Sequence, residues 1–353
     1  MNRDCFIKFL SAFELSHSKI SRILNALNQN YDFENFYLND EVESVLGEDY
    51  SAIAKKANQK FFDAYLNRLK EKGIGLFTIE SEVYPDKLKK IDDAPYYLFY
   101  QGDLGLLSLP SVAIVGTRKP SNYGAVITER FAVELAKSGA VVISGLAYGV
   151  DSIAHRKALA VGGKTIAVLA GGFDKVYPAE HTSLFEEIVK KGLVLTEHRP
   201  DINAVKYNFP QRNRIVAALS DALLITEAGA KSGTTITKDF ALDYGVPIYA
   251  VPGNITSAQS DGTNNLIASM QGICALNAKQ IIDELGLEQK KTTASKLSTN
   301  ENLIVQCLSN GEKTMDEIEE ITKINIAKLN SLLTSLEIKS IIKRMPGGVY
   351  SLS

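Results

Sequence analysis

Five short segments of the chain carry residue types suited to anions: GTRKPSNYG (116–124), SGLAYGVDS (144–152), AGGFDKVYP (170–178), EAGAKSGTT (227–235) and PGN (252–254). All are rich in Gly, Ser and Thr. Glycine lets the backbone turn tightly and lets a ligand approach the amides. Amides at helix N-termini carry partial positive charge and favour anions. Arg118, Lys119 and Lys231 lie within these segments, and NFPQRNRI (208–215) adds Arg212 and Arg214. The chemistry implied is anion recognition, and phosphate is the usual anion. One such loop merely closes a βα turn; five of them with interleaved basic residues describe a site.

Covalent chemistry is harder to find. GGKT (162–165) resembles the end of a phosphate-binding P-loop, but the glycine required upstream is Ala158 and the segment precedes a strand, so it reads as a turn. The dinucleotide fingerprint GxGxxG is absent after the first core strand, where the chain reads GTRKPSNYG. Ser144 lacks a GxSxG context and a base. His155 lies mid-helix and reads as packing, and Asp151 as a helix cap. Cys5, Cys274 and Cys307 are far apart, no CxxC pair exists, and the four histidines never form HExxH. No cofactor, metal or catalytic residue is expected.

The elements that must position these loops are legible from periodicity. SVAIVGT, AVVISG, KTIAVLAGG, LVLTEH, ALLITEA and PIYAVPG are short β-prone runs, separated by amphipathic stretches such as Tyr123–Ser138 and Val150–Val161. Continuous apolar strands alternating with helices predict a parallel sheet covered on both faces, a doubly wound α/β core over residues 76–287. Its loops then share the carboxyl edge of the sheet, where ligands bind. APYYLFYQGD (94–103) could stack bases but fits an apolar strand better. Residues 1–75 read as a small helical domain, with one helix carrying Ile20, Ile23, Leu24 and Leu27 and a second over Ser51–Lys72. Residues 288–300 are polar and aperiodic, a linker. Residues 301–353 read as three short helices and a hairpin around Pro346-Gly347-Gly348, a winged-helix unit.

With 353 residues and a net charge of −2, the chain has ample core material and no global basicity, so its cationic site must be local. No signal peptide or membrane span is read, and a cytoplasmic location is expected.

VAIVGTRKPSNYG, VISGLAYGVDSIAH, NFPQRNRIVAALSDALLITEA, KSGTTIT and GTNNLI, with the lead-in YPDKLKKIDDAPYYLFYQGD, resemble the DNA-processing protein A family (DprA, also called Smf) over residues 76–287. The resemblance implies an extended Rossmann-like core that binds single-stranded DNA, protects it, and loads RecA recombinase during natural transformation and recombination. It implies homodimers formed through that core, an N-terminal SAM-like domain and a C-terminal winged helix. The DNA site it implies comprises Gly116, Thr117 and Arg118, then Ser121, Tyr123 and Gly124. Gly145 joins them from the second loop, Phe209, Arg212 and Asn213 from FPQRNR, and Lys231, Ser232, Gly233 and Thr234 from KSGTT. Arg118, Arg212 and Lys231 would neutralise phosphates, amides near Gly233 would donate to them, and Phe209 would stack on a base, worth ~1–3 kcal/mol.

The C-terminal module departs from expectation. Its six basic residues face seven acidic ones, and the last helix carries only Lys328 and Lys339 around Glu337. Duplex readers need a basic recognition face, so this module is expected to contact protein. Two other readings of the core stand beside the first. A nucleotide phosphoribohydrolase would use a PGGxGTxxE loop, but the glutamate position here is Thr237, with Glu227 nearby. A binding module for a small nucleotide would use the same loops.

Overall fold

A computed structural model of the chain describes residues 1–230, 232–287, 298–309, 311–338, 341–345 and 348–352. It divides into two compact units, Met1–Lys290 and Lys291–Ser353.

The larger unit is built on nine strands: β1 (Gly75–Thr78), β2 (Tyr97–Gly102), β3 (Ser111–Val115), β4 (Val141–Ser144), β5 (Thr165–Val168), β6 (Leu193–Thr196), β7 (Ala222–Ile225), β8 (Ile248–Ala250) and β9 (Ile273–Cys274). Their order in the sheet is β1-β2-β6-β5-β4-β3-β7-β8-β9. From β6 to β9 all pairings are parallel. β3 to β7 are buried at every residue, as strands covered on both faces must be. One face packs Phe131, Leu135 and Ala154 from the helices Asn122–Lys137 and Val150–Ala160 against Val112, Ile114 and Val142. The other packs Ile215, Val216 and Leu219 of the helix Asn208–Leu219 against Ala113, Ile143 and Ile225.

The sheet differs from a purely parallel one at its far side. β2 runs antiparallel to β6, and β1 antiparallel to β2. β2 lies within the segment expected as an apolar strand; β1 straddles the expected boundary at residue 75 and is an addition to the six expected strands. The N-terminal helices lie against this extension. Phe6, Phe9, Leu24, Phe36 and Phe62 form one apolar cluster with Tyr97, Phe99, Leu169 and Phe185 of the core. The Glu14 carboxylate accepts the backbone N–H of Arg199 at 3.0 Å and meets His198 Nδ1 at 2.5 Å. The helix expected over Ser51–Lys72 is instead two, Tyr50–Ala54 and Gln59–Glu71. Asn58 between them is extended, and its side chain accepts the N–H of Phe61, so an N-cap interrupts a run that four-residue spacing made continuous.

The smaller unit holds the helices Thr299–Ser309, Met315–Thr322 and Ile326–Ile338, and a three-stranded sheet of β10 (Lys313–Thr314), β11 (Ile342–Met345) and β12 (Val349–Leu352), ordered β10-β12-β11. Ile304, Leu308, Ile318, Leu329, Leu333 and Tyr350 give it its own core. Thr314 and Glu317 form a reciprocal capping box at the second helix. β11 and β12 are the expected hairpin; β10 is an addition. Pro346 and Gly347 at its turn, and residues 288–297 of the expected linker, lie outside the described residues. Among the described residues no helix is long and apolar enough to cross a membrane.

Candidate nucleic-acid interface

The chain leaves β3 toward β4 on one side, while β7 pairs on the other side of β3. The loops after β3 and β7 therefore diverge, and a doubly wound sheet opens its ligand crevice at such a point. A cleft of about 700 Å³ lies there. It gathers Gly116 and Arg118 from the loop after β3, Gly145 from the loop after β4, and Phe209, Arg212 and Asn213 from the first turn and a half of the helix Asn208–Leu219. Ser232, Gly233 and Thr234 enter it from the start of the helix Thr234–Asp243. Lys231 lies outside the described residues.

The two arginines differ sharply. Arg118 is exposed, and its guanidinium sits 5.1 Å from the centre of the Phe209 ring. Tyr177 meets the same ring edge-on at 5.5 Å and is 46% exposed. A cation and two aromatic faces thus share the mouth of the cleft. Arg212 is only 5% exposed and forms its floor. Its Nη1 donates to the carbonyls of Gly145 and Val168, and its Nε to Asn213 Oδ1 at 3.1 Å. A β-carbon at Gly145 would fall on this guanidinium, which accounts for glycine there. Burial pushes the guanidinium down to about 10, opposed by the Asp151 carboxylate, so Arg212 stays cationic at neutral pH. Burial in turn pushes the Asp151 carboxyl up, and Arg212 holds it back.

Asp151 is not the cap expected: Gly149 holds the N-cap position without a side-chain bond, and Asp151 Oδ2 instead accepts the N–H groups of Gly145 (3.1 Å) and Ala147 (3.3 Å), clamping the loop after β4. In that loop Leu146 is held at a φ of 58°, a left-handed conformation unusual for leucine, with its side chain buried and its carbonyl accepting from His181 Nδ1 at 2.9 Å. Arg214 does not reach the cleft. It is buried and spent on Glu197 (2.6 Å) and Asp93 (3.1 Å).

Thr117, Ser121, Tyr123 and Gly124 lie on the other side of the β3 loop, where they fix its shape. The Thr117 N–H donates to the carbonyl of Glu227 at 2.8 Å. Glu227 is 2% exposed, and its carboxylate accepts the Ser121 N–H (2.7 Å) and hydroxyl (2.5 Å). Gly124 leaves room for that carboxylate. The Tyr123 hydroxyl donates to Pro252 at 2.7 Å, tying in the loop after β8. Glu227 is therefore a buried brace between the two loops. The sequence had marked it only as a nearby carboxylate. Lys206 and Tyr177 also line the cleft. Both were within reach of the sequence, one three residues before Phe209 and one in a loop already noted.

The remaining polar residues are structural. Ser144 donates to the carbonyl of Ile114 at 2.7 Å. His155 is fully buried; the Thr165 hydroxyl donates to Val142, so it accepts from His155 Nδ1–H at 2.6 Å, and burial pushes this imidazole down to about 3. GGKT is a turn, with Gly162 at a φ of 74°. The three cysteines are unpaired. Among the described residues no cluster of His, Cys, Asp or Glu could hold a metal ion.

The family described as DNA recombination-mediator protein A matches residues 75–286, and the DprA winged helix domain matches residues 288–348. DNA processing protein DprA of Bacillus subtilis (strain 168) is 37% identical over 250 residues, 69% of this chain and 84% of that protein. The crystal structure of DNA processing protein A from Streptococcus pneumoniae superposes with a TM-score of 0.69 at 33% identity, covering 82% of this chain and 99% of that one. DNA processing protein A from Helicobacter pylori, whose structure describes a single-stranded DNA binding mode, superposes with a TM-score of 0.55 at 37% identity, covering 60% of this chain and 95% of that one. With the core matched from its first strand to its last helix and a winged helix matched behind it, the chain belongs to the DNA processing protein A (DprA, or Smf) family.

Proposed function

We propose that the chain binds single-stranded DNA in this cleft, does no chemistry on it, and hands it to RecA recombinase in the cytoplasm during transformation and recombination. One observation carries the reading: an exposed guanidinium, Arg118, lies over the aromatic face of Phe209 at the mouth of a cleft on the sheet's carboxyl edge. A phosphate meets Arg118 and Lys231, the amides at Gly233 and Thr234 add their partial charge, and bases stack on Phe209 and Tyr177. Arg212 contributes charge from the floor. Gly116 and Gly145 line the cleft, where their missing β-carbons make room for Val150 and the Arg212 guanidinium, and Thr117, Ser121, Tyr123 and Gly124 hold the Arg118 loop in place. Binding through phosphates and stacking carries little base information, so no sequence preference is expected.

Two features favour binding without catalysis. The Glu227 carboxylate is occupied by Ser121, and Thr237, at the position of a hydrolase's glutamate, is 3% exposed.

The test is fluorescence anisotropy of a labelled single strand across a salt series, with duplex and nucleoside monophosphate as competitors. We expect single-strand binding that weakens with salt, and an Arg118→Ala variant whose slope of log affinity against log salt is shallower by about 0.7. Competition by the monophosphate at equal concentration would overturn the reading, as would release of free base from it. Retention of RecA on an immobilised strand only when this protein is present checks delivery. For self-association, the edge strand β9 offers an apolar strip: Ile273 is 47%, Leu276 67% and Met270 93% exposed. Among the described residues no strand pairs with the outer edge of β9; such edges invite pairing, and a second copy of the core is the occupant proposed. Sedimentation should show an Ile273→Asp variant as monomer; an unchanged dimer would refute the site.

A further inference from the structure

A second cavity, of about 310 Å³, opens where the helix Gln59–Glu71 faces the core. Its floor is apolar, formed by Ala12, Phe61, Ala64, Leu69 and Pro200. Its rim is cationic. Along the helix and its C-cap, Ala64, Arg68 and Lys72 recur at four-residue steps and so share one face. Lys56 and Arg199 complete the rim. Two carboxylates also lie there, and both are engaged: Asp174 with Lys72 at 2.5 Å, Asp201 with Arg199 at 2.8 Å.

Only a thin wall separates this groove from the DNA cleft. It consists of two loops, those after β5 and β6, laced by Gly172 N–H to Ile202 (2.8 Å) and Asp174 N–H to Pro200 (2.8 Å). Gly172 is required here, because a β-carbon would collide with the backbone of Arg199 and Pro200. In the first loop Asp174 lines the groove and Tyr177 the cleft; in the second, Asp201 lines the groove and Ala204 the cleft. Each pair is three residues apart, which bounds the crossing at roughly 10 Å. Lys175 and Lys206, both exposed, stand on this wall. Among the described residues, none of Arg118, Lys206, Lys175, Arg68 and Lys56 is in an ion pair.

We propose that the helical face of the N-terminal region is a second nucleic-acid subsite, which takes the single strand as it leaves the cleft over Tyr177, Lys175 and Lys206. An apolar floor under a cationic rim suits a nucleotide, whose base seeks a flat apolar surface and whose phosphate seeks charge. The Lys56 ammonium already lies 5.8 Å from the Phe61 ring, so cation and aromatic face sit together as they do at Arg118 and Phe209. The inference rests on the cleft being the primary DNA site, and its test separates the two.

The full chain is titrated with a short oligothymidylate of about 6 nucleotides and a long one of about 20, lengths that bracket common site sizes. The short strand reads the cleft alone. Wild type should bind the long strand more tightly, with a steeper salt dependence. A Lys56→Glu/Arg68→Glu variant should lose roughly tenfold on the long strand, and its salt slope should fall by about 1.4, the value for two phosphate contacts on a single strand. Its short-strand affinity should not change. A Lys56→Arg/Arg68→Lys variant should behave as wild type. Equal losses on both lengths, or no loss on the long strand, overturn the subsite. Failure of the wild type to bind even the short strand removes the cleft reading itself.

Discussion

Arg118 lies exposed over the Phe209 ring, and Arg212 lies beneath Gly145 with its charge matched against Asp151. Both were legible in the sequence as basic residues suited to phosphate, with no distinction drawn between their roles. The signal that separates them is helical phase: Arg212 shares a face with the buried apolar residues Ile215, Val216 and Leu219. Loop residues such as Arg118 have no such phase to betray them. The two should part in experiment. Arg212→Ala leaves the buried carbonyls of Gly145 and Val168 without their donor and removes the charge that offsets Asp151, and is expected to cost about 1–3 kcal/mol of unfolding free energy in urea. Arg118→Ala removes only an exposed cation–π contact, worth about 0.5–1 kcal/mol, and should unfold near the wild type while binding DNA poorly. Equal destabilisation by the two would mean that Arg118 is structural as well.

At the scale of elements, the six core strands were readable because strands buried on both faces are continuous apolar runs. The direction of β2 was not, because periodicity tells which residues are buried and not which way a strand runs. The break at Asn58 was hidden for a related reason: apolar residues continue across it at helical spacing, and only the capping side chain marks the interruption. The brace between the β3 and β7 loops was invisible too, since Ser121 and Glu227 are 106 residues apart. Its predicted behaviour differs from that of a DNA contact. Glu227→Ala orphans the Ser121 N–H, which should destabilise by about 1–3 kcal/mol and loosen the Arg118 loop. Single-strand affinity should fall while the salt slope stays at the wild-type value, because no phosphate contact is removed. A slope reduced as far as in Arg118→Ala would show that the brace itself organises a phosphate contact.

For the whole molecule, a net charge of −2 hid a local excess of positive charge, because Arg118, Lys206 and Arg212 line one cleft with Asp151 as the acidic residue of its described lining. The C-terminal unit has the winged-helix form without a strongly basic face. Asp316, Glu317, Glu319 and Glu320 stand on its second helix, and Lys328 is the sole cation within Ile326–Ile338. Lys343 and Arg344 on β11 are its exposed cations there, and Arg344 leans toward Tyr350 at 6.0 Å. A winged helix reading duplex DNA sets a cationic helix in the major groove and gains affinity by releasing counterions; here the acidic side chains would oppose that approach. We therefore expect a chain ending at residue 287 to keep its single-strand affinity within about twofold, and duplex to compete equally weakly against both forms, because a surface of this charge gains little from counterion release. A duplex affinity present in the full chain and lost on truncation would make the module a DNA reader. The expected alternative is a protein contact, which cross-linking of the full chain in the presence of single-stranded DNA would test.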